Sequence, residues 1–210
     1  MFVKSVMIPK EKCLTISGES SVLDALNELE AKDIDALPII ESGKYLGMFN
    51  KYLLYKAYFY SDTDKETFLK QTKVSDVVTR EDTFVKTSDV FEQAFMKLYD
   101  FPILAVVEDE KFLGLVTRYD TIHQFKSAFG MNTKGTRIAF TSVESEGRIL
   151  KVSDILHKYH TSVISLVTFD ETDKLVRRIV LKIDNEQKLD RIIHDLEKSG
   201  FRVLHIDKDE

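Results

Sequence analysis

The sequence predicts an α+β protein made of two related modules followed by a smaller domain with the order βαββαβ. Three observations predict it. A short apolar strand, a polar turn and a second apolar strand containing Gly occur twice, with Gly47 and Gly114 about 67 residues apart. Each pair follows a stretch with helical apolar spacing. Beyond about residue 135 the pattern changes to an alternation of strands and amphipathic helices that belongs to neither copy.

Composition sets the frame. The chain has 210 residues, 43% hydrophobic and 31% charged, which suits compact domains with ordinary cores. A net charge of −5 without a basic block argues against a nucleic-acid surface, because phosphate contacts need clustered Lys and Arg. Arg177-Arg178 is the densest basic spot, and it sits inside an apolar run. The single cysteine, Cys13, excludes an internal disulfide and a zinc cage of Cys ligands. The N-terminus, Met1 to Ser5, lacks the features of a signal peptide, and no apolar run approaches the roughly 18 to 20 residues of a membrane span. The expectation is a cytoplasmic protein with no membrane and no nucleic-acid partner.

The first hairpin runs from Leu37-Pro38-Ile39-Ile40 through the turn Glu41 to Lys44 into Tyr45-Leu46-Gly47-Met48-Phe49-Asn50. The second runs from Leu104-Ala105-Val106-Val107 through Glu108 to Lys111 into Phe112-Leu113-Gly114-Leu115-Val116-Thr117. Upstream, Val22, Ala25, Leu26 and Leu29 share a helical face behind Ser21, and Phe91, Ala94, Phe95 and Leu98 share one behind Ser88. β-leaning stretches precede them at Cys13 to Ile16 and Thr83 to Val85, and before those come Val3 to Pro9 and Val74 to Thr79. A further helix begins near Lys51 and near Arg118. Each copy reads strand, helix, strand, strand, helix.

The heptad Gly114-Leu115-Val116-Thr117-Arg118-Tyr119-Asp120 carries chemistry. Gly114 admits a close backbone approach. Thr117 stands where a strand becomes a helix, so its hydroxyl can cap the helix or bond a ligand. Asp120 faces the same side one turn on, where a carboxylate can accept both hydroxyls of a ribose. The free amides of the helix start and the planar charge of Arg118 suit phosphate. Thr-x-x-Asp is also an ordinary helix-capping pattern.

The heptad resembles the Gly-h-h-Thr-x-x-Asp signature, with h apolar, that closes a CBS motif, and Val74 to Thr79 looks like that family's opening segment. The duplicated unit has the length of a CBS pair. The resemblance implies tandem CBS modules (a Bateman-type pair) over 1–66 and 67–130, binding an adenine nucleotide with Thr and Asp on ribose or phosphate. Thr117, Arg118, Asp120 and Tyr119 are the expected contacts. Val77, Thr79 and Arg80 from the lead-in segment, with Ala105 and Val106 from the strand, are expected walls. The first copy has Asn50 and Leu53 where Thr and Asp belong, and Leu53 cannot accept a hydrogen bond, so one competent site per chain is expected. Tyr52, Tyr55, Tyr58, Phe59 and Tyr60 crowd the helix after the first hairpin, suited to stacking on a purine or partner but more readily to packing between modules or within a homodimer. The CBS resemblance implies a homodimer through such helices.

After the glycines of Phe129 to Gly135, taken as a linker, strands are expected at 136–142, 162–169, 175–183 and 201–206, and helices near 149–159 and around Leu189 to Leu196. Asp170 to Lys174 should form the hairpin loop. This βαββαβ order is ferredoxin-like. With Gly147-Arg148 at the first strand-to-helix turn, the region 136–210 resembles an ACT domain. It departs from that pattern at Glu146, where Pro is usual, and in lacking an Asn within His160-Thr161-Ser162-Val163. Assembly or signal output is its expected role.

No nucleophile elbow, Walker loop or dinucleotide fingerprint is present. His157 and His160 have helical spacing but no acidic partner in register, so no metal site is expected. The expected function is therefore a non-enzymatic sensor without a cofactor. It binds AMP, ATP, S-adenosylmethionine or, as the leading choice, cyclic di-AMP, and signals through dimer rearrangement to an unidentified protein partner. The alternatives are a ligand-independent scaffold and a detached regulatory subunit of an enzyme or transporter.

Overall fold

A computed structural model describes residues 1–143, 145–170, 176–184 and 187–209. The chain forms two compact units, Met1–Ile122 and His123–Glu210. The expected loop residues 171–174, and Leu175 at the expected strand start, lie outside the described residues.

In the first unit a 3-10 turn at Val3–Ser5 leads into β1 (Ile8–Pro9), then α1 (Val22–Ala31), β2 (Ala36–Glu41), β3 (Lys44–Asn50), α2 (Lys51–Phe59) and α3 (Lys65–Gln71). The second copy repeats this with a 3-10 turn at Val74–Val77, then β4 (Phe84–Val85), α4 (Phe91–Lys97), β5 (Ile103–Glu108), β6 (Lys111–Thr117) and α5 (Arg118–Ala128). The lead-in segments Val3 to Pro9 and Val74 to Thr79 thus each hold a 3-10 turn, and of the expected β-leaning stretches Phe84–Val85 forms a strand. Of the stretch Cys13 to Ile16, only Ile16 pairs, bridging Ile39.

Capping separates the two first helices. Ser21 accepts the Asp24 amide at 3.1 Å while the Asp24 carboxylate accepts the Ser21 amide at 3.3 Å, a reciprocal box. In the second copy Val90 holds the cap position and offers no side-chain acceptor, so Ser88 does not start the helix. Its apolar face narrows to Phe91, Ala94 and Leu98, and Phe95 at the edge of the stripe is 43% exposed.

Both hairpins turn on two residues with positive φ, Ser42-Gly43 and Asp109-Glu110, the geometry that matches strand twist. The two tips then bond each other: Tyr45 N–H donates to the Glu110 carbonyl and Phe112 N–H to the Gly43 carbonyl, each at 3.0 Å. The strand order is β2-β3-β6-β5-β4, with β4 parallel to β5 and the β3–β6 contact limited to Lys44 opposite Lys111.

Each lead-in segment crosses to the other copy's strand. Ile8 and Pro9 pair with Leu115 and Gly114 on β6, while Thr79 bridges Met48 on β3. Glycine at both positions permits it. A Cβ on Gly114 would lie 2.1 Å from the Ile8 carbonyl oxygen, and one on Gly47 would lie 2.3 Å from Val78 and 2.7 Å from the Thr79 oxygen. Ala36, Tyr45, Met48, Phe101, Ala105 and Leu115 are buried together in one cluster drawn from both hairpins. Val22, Leu29, Leu37, Phe49 and Val77 form part of a second cluster.

The second unit contains β7 (Thr136–Val143), α6 (Arg148–Lys158), β8 (Val163–Asp170), β9 (Val176–Ile183), α7 (Leu189–Lys198) and β10 (Arg202–Lys208). Its antiparallel sheet has the order β10-β7-β9-β8, the ferredoxin-like arrangement. Ile138, Phe140, Ile179 and Leu181 from the sheet meet Val152, Leu156, Ile192 and Leu196 from the helices. The stretch expected as a linker instead packs within this unit. Ser165 donates to the Phe129 carbonyl at 3.0 Å, and the buried Lys182 ammonium donates to the Gly130 carbonyl at 3.0 Å and pairs with Asp209. A buried ammonium needs such acceptors to offset its lost hydration.

Candidate nucleotide site

The end of β6 builds the site. Thr117 is the last strand residue, and its hydroxyl oxygen accepts the Asp120 amide at 3.0 Å while donating to Asp120 Oδ2 at 2.6 Å. Thr121 donates back to the Thr117 carbonyl at 3.0 Å, which ties the strand end to the first turn of α5. Capping and ligand contact are therefore not exclusive: Thr117 fixes the Asp120 carboxylate, and both residues line one cavity of about 620 Å³. That volume suits a mononucleotide.

Arg118 also lines this cavity, held by a definite set of bonds. Its backbone N–H donates to the Pro102 carbonyl at 2.9 Å, its Nε to the Leu98 carbonyl at 3.1 Å and its Nη2 to the Tyr99 carbonyl at 3.4 Å. The guanidinium thus caps the carboxyl end of α4, where the exposed carbonyls and the helix dipole favour a cation. Tyr119 lines the mouth and is 75% exposed.

The other expected wall residues lie elsewhere. Val77 is buried in the first copy's core, and Thr79 bonds Met48 through both backbone groups. Arg80 places its guanidinium 2.6 Å from Asp100 and 4.6 Å from the centre of the Phe101 ring, and its carbonyl accepts the Tyr45 hydroxyl at 2.8 Å. The reason is the crossing of the lead-in segments, which sends Val77 to Arg80 to the first copy's strand. Ala105 and Val106 are fully buried inside β5, and the cavity meets that strand at its start, through Pro102 and Ile103.

The first copy's lead-in supplies the missing wall. Ile8, Lys12, Cys13 and Leu14 line the cavity, as do Asp33 and Asp35 from the turn between α1 and β2. No local motif marks these residues; the pairing of β1 with β6 brings Ile8 and the segment after it here. The Cys13 thiol donates weakly to the Ile8 and Pro9 carbonyls at 3.5 and 3.3 Å, and burial pushes its pKa up, so it behaves as a neutral wall.

The first copy's corresponding cleft is filled. Phe101, 67 residues after Ile34, is 5% exposed and packs in the cluster that contains Met48 and Tyr45. Burial drives the Tyr45 phenol far above the ordinary tyrosine range. Asn50, in the Thr position, caps α2 by accepting the Leu53 amide at 2.8 Å.

The family model for the CBS domain matches residues 3–59 and 74–127, more than half of the chain. The chain belongs to the CBS-domain family. Solved structures agree on the fold. A CBS domain-containing protein of unknown function from Bacillus anthracis is 26% identical, with a TM-score of 0.54, covering 60% of this chain and 93% of that one. CBSX2, solved in complex with AMP, is 26% identical, with a TM-score of 0.51, covering 59% of this chain and 95% of that one. CbpB, solved in complex with c-di-AMP, is 19% identical, with a TM-score of 0.53, covering 60% and 85%, and shows a shared fold. The family match stops at residue 127 and leaves most of the second unit unassigned.

Proposed function

We propose that this CBS protein is a regulatory sensor that binds an adenine nucleotide in the second copy's cavity and has no catalytic role. The observation that carries this reading is the Thr117–Asp120 pair, set by a 2.6 Å hydrogen bond at the wall of a cavity of mononucleotide size. Asp120 takes the ribose hydroxyls, Thr117 holds that carboxylate in place, and the apolar wall of Ile8, Leu14 and Ile103 receives the base. The AMP complex of CBSX2, at 26% identity, supports the ligand class. Cyclic di-AMP is the leading choice within it, with AMP next.

The sensor works as a homodimer. Tyr52, Tyr55 and Phe59 on α2 are 68, 55 and 79% exposed, and a helix carrying that much aromatic surface is stabilised by covering it. Ligand binding shifts the dimer between two arrangements to the extent that their affinities differ. The ferredoxin-like unit, resembling an ACT domain, passes that shift to a protein partner. Cytoplasmic placement belongs to the same proposal; among the described residues no helix is long and apolar enough to cross a membrane.

Calorimetry with AMP, ADP, ATP and cyclic di-AMP tests the ligand. Asp120→Ala should weaken binding by roughly tenfold or more, the scale of a lost charged hydrogen bond, with little change in the melting temperature of the free protein. If none of the four binds at millimolar concentration, the sensor reading is overturned. Light scattering with and without nucleotide then reads the dimer.

A further inference from the structure

The charges around the cavity say which adenine nucleotides fit. Five charged side chains line it, and carboxylates outnumber cations: Asp33, Asp35 and Asp120 against Lys12 and Arg118. One cation is already engaged. Arg118 holds the Leu98 carbonyl through Nε and the Tyr99 carbonyl through Nη2, so among the described residues only its Nη1 has no protein acceptor. One carboxylate is engaged as well, but by a neutral hydroxyl: Asp120 accepts from Thr117, a bond that brings no positive charge. The two remaining acids come from the turn that joins α1 to β2.

We infer that this site selects adenosine ligands carrying at most two negative charges, a monophosphate or a phosphodiester, over ADP and ATP. This rests on the nucleotide reading above and narrows it. A single phosphate group finds one guanidinium nitrogen, the Nη1 of Arg118. Each further phosphate of a linear chain adds negative charge to a site whose own lining is net negative, with Lys12 as the one remaining cation. Cyclic di-AMP keeps two charges while adding a second base, so it falls on the permitted side. Asp33, Asp35 and Lys12 are solvent-exposed, so water and salt screen the discrimination and keep it moderate.

The test compares AMP, cyclic di-AMP, ADP and ATP by calorimetry without magnesium, on the wild-type protein and on Asp33→Asn/Asp35→Asn. Both positions are exposed, and unchanged melting of the variant confirms that it folds. At low salt the wild type should bind the better of AMP and cyclic di-AMP about tenfold more tightly than ATP, with ADP between, the size expected for two extra charges at partly screened distances. The double variant should narrow that gap to about two- or threefold by improving ATP, and 0.5 M salt, roughly a 4 Å screening length, should narrow it likewise. Which of AMP and cyclic di-AMP leads identifies the ligand within the class. ATP binding as tightly as AMP in the wild type, or a gap that ignores both the variant and the salt, overturns the charge argument while leaving the nucleotide site intact. No binding by any of the four overturns the nucleotide reading itself.

Discussion

The two CBS copies share a backbone plan and differ in what occupies their clefts. In the second copy's cleft, Ile34 shares the lining of an open cavity with Thr117 and Asp120. In the first, the equivalent of Ile34 is Phe101, buried against Met48 with Arg80 stacked on its ring, and Leu53 stands where the carboxylate would be. One copy keeps space and polar groups at the cost of packing. The other converts the same space into core, and burying a phenylalanine is worth about 1.5–3 kcal/mol. Duplication followed by unequal filling thus yields one half with an open cavity and one half packed as core.

That contrast can be broken at three places. The largest effect is expected at the crossing glycines. Gly114→Ala sets a Cβ against the Ile8 backbone oxygen, which cannot move without unpairing β1 from β6, and should cost more than about 4 kcal/mol in chemical unfolding. It should also abolish nucleotide binding, because Ile8 to Leu14 form one wall. Gly47→Ala meets a Val78 side chain as well as backbone, should cost somewhat less, and should spare the ligand.

Phe101→Ala comes next. Emptying a buried aromatic site should cost about 3–4 kcal/mol and open the first cleft. No second nucleotide should bind there, since Leu53 accepts no hydrogen bond; stoichiometry by calorimetry reads this, and two sites per chain would show that filling alone silenced the first copy. The smallest effect distinguishes the hairpin tips. Glu110 holds a positive φ that Gly43 adopts without a Cβ penalty. Glu110→Gly should therefore stabilise the protein by about 0.5–1 kcal/mol, because the Lys44–Glu110 pair it removes is exposed and screened by water. A net loss in the melting midpoint would mean that the ion pair outweighs the strain.

Much of this was legible in residue order. The paired apolar runs on either side of the polar turns Glu41 to Lys44 and Glu108 to Lys111 predict both hairpins, and the helical spacing behind Ser21 predicts α1. The ferredoxin-like order followed from four strand patterns and two helix patterns, to within a residue or two at most ends. Less legible was the stretch from Phe129 to Gly135, which reads as a linker because its glycines and polar residues carry no period. It is held by the Ser165 hydroxyl on the Phe129 carbonyl and by the ammonium of Lys182, 52 residues beyond Gly130, and such distant donors leave no local pattern.

The site divides along the same line. Thr117, Arg118, Tyr119 and Asp120 are adjacent in sequence, so a local motif places them on one strand-to-helix junction, and the sequence alone determined that half. The opposite wall, Ile8 to Leu14 with Asp33 and Asp35, depends on which copy's lead-in segment pairs with which strand. Val77 to Arg80 have the same local character as the first copy's lead-in, so no periodicity distinguishes the two pairings. Tertiary structure decides between them, through long-range backbone pairing at Gly47 and Gly114, where only a residue without a side chain lets the crossing strand approach.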